Sequence, residues 1–157
     1  MRNGGPGVPQ INTQVLYETF DLVARSTSAA EARHRCLDWL TGHGAPQQAI
    51  EATVLIVSEY VANAVVHSGS TVISCALQLG ASLLRVEVTD QGNGPSSPVV
   101  RHAAPDEVSG RGLLLVSAVS EAWGAAPAVP CGWTVWATVR TTALTRLAAD
   151  ALAQRRA

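Results

Sequence analysis

Glu59, Asn63 and His67 follow one another at intervals of four in Ser58-Glu-Tyr-Val-Ala-Asn-Ala-Val-Val-His67. A helix turns by about 100° per residue, so each step of four shifts the side chain by only about 40° and puts an acid, an amide and an imidazole on one face. Such groups side by side can move a proton or hold a polar ligand. A plainer account also fits the trio, in which Asn63 and His67 merely cap or solvate the last turn of a helix.

The surrounding residues must position that face. Ile50, Val54, Val57, Val61 and Val65 form the apolar stripe of a helix packed on a core. The polar trio is itself interleaved with Ala52, Leu55, Ile56, Ala62 and Val66, so the helix is apolar nearly all round and buried on most sides. A carboxylate is rarely placed there without a partner.

Two glycine clusters offer partners. Asp90-Gln-Gly92-Asn-Gly94 stands at the end of a strand pattern, and Gly110-Arg-Gly112-Leu113 at the start of a helical one. Glycines let backbone approach a ligand closely, a helix N-terminus presents free N–H groups to phosphate, and a carboxylate such as Asp90 can accept a hydrogen bond from an exocyclic amine such as that of adenine. Each cluster alone also reads as a turn. Calcium is excluded because Gly92 and Gly94 occupy ligand positions of the loop it would need. A dinucleotide fingerprint is excluded because Pro95, Ser96 and Ser97 follow where a helix should open.

The elements follow from periodicity and breakers. Val15 to Val23 reads as a strand, and Ser28-Ala-Ala-Glu31 as a capping box opening a helix to about Leu40, ended by Gly42 and Gly44. Pro46 suits the first residue of the long helix, which runs to His67 and closes at Ser68-Gly69. Thr71 to Leu79 and Leu83 to Thr89 form a hairpin through Gly80-Ala81. Residues 91–110, rich in glycine and proline, read as a lid or an insertion. A short helix from Gly112, strands Trp123 to Val129 and Gly132 to Thr141, and a terminal helix over 142–157 complete the chain. This order predicts a single α+β domain over 13–141, a two-layer sandwich with helices on one face of a mixed, mostly antiparallel sheet, preceded by a disordered tail over 1–12.

Composition narrows the function. The 157 residues suit one domain, and a net charge of −1 gives no electrostatic footprint for nucleic acid or an anionic membrane. All 11 basic residues are arginine. The lack of lysine excludes a Gly-Lys-Ser/Thr phosphate loop and a protein-kinase strand lysine. Cys36, Cys75 and Cys131 have no Cys-x-x-Cys spacing and fit reduced thiols in a cytoplasmic protein. No stretch reads as a membrane span, and the N-terminal residues lack the apolar core of a signal peptide.

In combination and in this order, the helix carrying Glu59, Asn63 and His67, then Asp90-x-Gly92-x-Gly94, then Gly110-x-Gly112-Leu113 resembles the GHKL ATPase superfamily shared by DNA gyrase, histidine kinases and mismatch-repair ATPases. Within it, Glu59-Tyr-Val-Ala-Asn63-Ala-Val-Val-His67-Ser68, Gly110-Arg-Gly112-Leu113 and Trp133-Thr-Val-Trp136 are similar to the anti-sigma factor serine/threonine kinase group, over roughly residues 15–141. The resemblance implies a Bergerat-type ATP-binding fold in which Asn63 coordinates Mg²⁺ on the ATP phosphates and Glu59 is the general base. It places His67 near phosphate, Asp90 on the adenine amine with Gly92 and Gly94 shaping the pocket, and Gly110, Arg111, Gly112 and Leu113 at the phosphates. It further implies a sigma factor or an antagonist protein as partner, with a homodimer suggested. One departure stands out: relatives often carry Gly-Lys-Thr where this chain has Gly132-Trp-Thr134. Two functions follow, a kinase that phosphorylates an antagonist on serine, or an ATP-binding partner-recognition module without catalysis.

Overall fold

A computed structural model describes residues 14–92 and 108–141, with residues 108–111 as backbone only. The expected tail over 1–12, residues 93–107 of the segment read as a lid or an insertion, Gly94 among them, and the terminal helix over 142–157 lie outside the described residues. The described elements run β1 (Leu16–Val23), α1 (Ser28–Gly42), α2 (Gln47–His67), β2 (Val72–Leu79), β3 (Leu83–Thr89), α3 (Val108–Val119), β4 (Ala122–Pro127) and β5 (Trp133–Arg140). The five strands form one sheet in the order β1-β2-β3-β5-β4, and every pairing is antiparallel. The fold is the expected α+β two-layer sandwich, except that the sheet of the described strands is wholly antiparallel and not mixed, since no parallel crossover joins any of its neighbours.

Alternation along the strands builds the core. Ile73, Cys75, Leu77 and Leu79 of β2, Leu84, Val86 and Val88 of β3, and Ala137 and Val139 of β5 are buried on the face the helices cover. The other face holds half-buried polar and aromatic groups, where the Arg85 guanidinium lies 4.4 Å from the Trp136 ring centre and bonds Glu87 at 2.6 Å.

α2 is the centre of the helical layer. By length and apolar composition it could cross a bilayer, contrary to the sequence reading that no stretch could. Its apolarity has another use here: Ile50, Ile56, Val57, Tyr60, Val61 and Ala64 are buried within the fold. The Tyr60 hydroxyl donates to the Trp136 carbonyl at 2.9 Å, tying α2 to β5, and burial pushes its pKa up.

Three helix starts differ from the sequence reading. Ser28 does not cap α1; its hydroxyl donates to the Val23 carbonyl at 2.7 Å and accepts from the Arg25 N–H at 2.9 Å, closing the turn before the helix, while Glu31 pairs with Arg35 at 3.3 Å. Pro46 is the extended N-cap of α2 and not its first helical residue. α3 begins at Val108, so Gly110 falls within its first turn and Gly112 just beyond.

Candidate functional site

Two segments, α3 and the chain leaving β3, close on α2. Glu59 and Asn63 are half-buried, and no side chain of the described residues hydrogen-bonds to either. An acid and an amide so placed are poised for a ligand that brings its own charges. α3 closes on Glu59: a Cβ at Gly112 would collide with Glu59 Oε2 and come within 3.0 Å of its Cδ. Only glycine permits that approach without moving the carboxylate. Leu113, next in sequence, packs half-buried against the core cluster and anchors the helix. Gly110 lies in the first turn of α3, whose N–H groups have no partner within the helix.

The second contact is at the C-terminal end of α2. A Cβ at Gly92 would run into the Ser68 carbonyl, so the chain leaving β3 lies directly on the helix end. Ser68 Oγ donates to the Ala64 carbonyl at 2.6 Å, accepts from the Ser70 N–H at 3.1 Å and sits 2.9 Å from Ser70 Oγ. Ser70 Oγ in turn accepts from the Gln91 N–H at 2.7 Å. The turn after α2 thereby carries the strand end that bears Asp90.

Asp90 is half-buried and held by backbone. Its Oδ1 accepts from the Gly92 N–H at 2.9 Å and the Trp133 N–H at 3.3 Å, and its own N–H donates to the Trp133 carbonyl at 2.9 Å. Oδ2 has no partner among the described residues and can accept from a ligand amine. Beside it, the Thr89 and Thr134 hydroxyls share a 2.8 Å hydrogen bond.

The structure thus brings Glu59, Asn63, Asp90, Gly92 and Gly112 onto one framework. His67 stays exposed in the last turn of α2, with no hydrogen bond among the described residues. Gly94 lies outside them, and the Arg111 side chain is not described. Sequence reasoning missed Ser68, Ser70, Gly132 and the main chain of Trp133. The only signal for the last two was the Gly132-Trp-Thr134 position, weighed there for the missing lysine and not for its backbone.

Residues 22–139 match the model of the histidine kinase-like ATPase domain. The chain belongs to this family. The histidine kinase-like ATPase domain is also similar to a solved structure, the RsbU and RsbW domains of Rv1364c from Mycobacterium tuberculosis, at 27% identity and a TM-score of 0.56. That match covers 82% of this chain and 32% of the other, so this domain spans about a third of its neighbour's length. No curated protein sequence matches. Membership of an ATPase family makes ATP the ligand of the domain, and the donor set fits: an aspartate with a free oxygen for an amine, glycine-lined backbone, and an amide and a carboxylate with no described partner.

Proposed function

We propose that this domain is an Mg-ATP-dependent protein serine/threonine kinase of the anti-sigma factor type, one that sequesters a sigma factor and phosphorylates an antagonist protein on serine. The observation that supports a kinase over a bare nucleotide-binding module is the Glu59 carboxylate, half-buried, without a described hydrogen-bond partner and lodged against Gly112. A protein that only binds ATP has no need of a base in that place. Resemblance of the motifs to the anti-sigma kinase group and similarity to a structure containing an RsbW domain support the regulatory role.

In this mechanism Asp90 Oδ2 accepts from the adenine amine, and the first turn of α3 at Gly110 and Arg111 meets the phosphates. The Asn63 amide oxygen, with no partner among the described residues, suits a hard cation that retains several waters. Mg²⁺ when bound neutralises the charge on the phosphates. Glu59 then accepts the proton of the incoming serine hydroxyl, and positioning with electrostatics carries the transfer. The domain works in the cytoplasm and as a homodimer.

A second reading, an ATP-binding partner-recognition module without catalysis, is favoured by Trp133 at the position where relatives often carry lysine. Labelled ATP and lysate from the native cell separate the two. The kinase labels one small protein, Glu59→Gln binds ATP but transfers no label, and Asn63→Ala loses Mg-dependent ATP binding. Measurable ATP binding with no labelled protein would establish the module, and unchanged nucleotide affinity in Asn63→Ala would remove the metal site from Asn63.

A further inference from the structure

We propose that the corner Gly132-Trp133 fixes the orientation of the Asp90 carboxylate and so writes the choice of base into backbone, making Gly132 a positioning residue for adenine recognition. This rests on the reading of Asp90 as the group that meets the base. The corner holds Asp90 from both sides, with the Trp133 N–H donating to Oδ1 and the Trp133 carbonyl accepting from the Asp90 N–H. Together with the Gly92 N–H it gives Oδ1 two donors. Turning the carboxylate would break both bonds, so Oδ2 is the oxygen that remains for a ligand.

Gly132 is what lets the corner come so close. Its φ is +84°, and a Cβ there would strike the Asp90 carbonyl and stand 2.9 Å from Oδ1. Most of what it would meet is main chain, which cannot swing aside as a side chain can. Gly44 has a similar φ of +69° but nothing within 4 Å, so a substitution there is strained without touching any neighbour. Gly132 therefore differs in kind from a glycine kept for a turn. Because the contribution of residue 133 is main-chain, the corner does not depend on a lysine side chain.

A fixed Oδ2 accepts from a purine 6-amine and repels a purine 6-oxygen. The test compares ATP with ITP, which differ at that atom, by direct binding to the full chain. The native protein should prefer ATP by at least about tenfold, the scale of one hydrogen bond to a charged group. Gly132→Ala should bring the two affinities within about threefold, by weakening ATP and relieving the repulsion of ITP, whereas Gly44→Ala should keep the native ratio. Asp90→Asn gives an independent reading. Its Oδ1 would stay on the two N–H groups and turn Nδ2, a donor, toward the base, so the ratio should fall below one. An Asp90→Asn variant that still prefers ATP has an amide free to flip and overturns the proposal, as does a native ratio in a folded Gly132→Ala. Absence of ATP preference in the native protein would instead overturn Asp90 as the base-binding group, and this inference with it.

Discussion

A methyl group at Gly112 would have to push the Glu59 carboxylate aside, and the carboxylate is the free end of a flexible side chain. Gly112→Ala should therefore fold and bind ATP within about threefold of the native affinity, yet transfer phosphoryl groups about a hundredfold more slowly, the lower end of what a general base contributes. Single-turnover label transfer alongside equilibrium binding checks this, and an unchanged rate would mean that Glu59 is not placed by the contact. Glu59 and Asn63 were legible in the sequence because the period of a helix alone puts them together. Gly112 was legible as a glycine the resemblance puts at the phosphates but not as the residue that sets Glu59, since a contact between residues 59 and 112 is made by the packing of α2 on α3. The partners of Asp90 were hidden for a related reason: they are main-chain N–H groups, and every residue but proline has one.

At the scale of elements, strand and helix identities followed from alternation and the apolar stripe, while helix starts did not. Ser28-x-x-Glu31 has the composition of a capping box, but the buried Ser28 hydroxyl is spent on the Val23 carbonyl and the Arg25 N–H because the chain must turn sharply out of β1. The two accounts differ in what mutation should do. A capping box would lose stability when either residue is replaced. The observed bonds predict that Ser28→Ala costs about 1–3 kcal/mol, the loss of two part-buried hydrogen bonds, whereas Glu31→Ala stays within about 0.5 kcal/mol because its pair with Arg35 is exposed. Urea unfolding of the two variants measures both. The start of α3 was misplaced similarly: no cap residue next to Gly112 marks it, and the helix opens four residues earlier.

At the scale of the whole molecule, the thiols report the integrity of the core. Cys36 and Cys75 are buried in the main cluster, and burial pushes each up to about 12, while Cys131 is exposed on the β4–β5 connection with its thiol 3.5 Å from the Gln91 carbonyl. Iodoacetamide at pH 8 should modify Cys131 quickly and the other two only after denaturant is added, as mass spectrometry would show. Alkali should act on the same pair. Both thiols ionise near 9.0 once unfolded but stay protonated in the fold until about 12, so the folded chain holds more protons across that window and stability falls as pH rises. Each thiol contributes a slope of up to about 1.4 kcal/mol per pH unit there. Replacing both by alanine should lessen the fall of the unfolding free energy between about pH 9 and 11, with the Tyr60 hydroxyl, also raised by burial, keeping part of the slope above pH 10.

The two sides of the candidate site are unequally built. On the side of Asp90, the Ser68–Ser70–Gln91 chain and the Trp133 corner hold the acceptor in place before any nucleotide arrives; on the other, α3 meets Glu59 through one glycine and no described hydrogen bond. Ordering entropy on binding is thus already met where the base docks, and what remains falls on the triphosphate. Adenosine should capture a larger share of the ATP binding free energy than its few contacts suggest, and the phosphates should be worth more as a means of setting α3 than as a source of affinity.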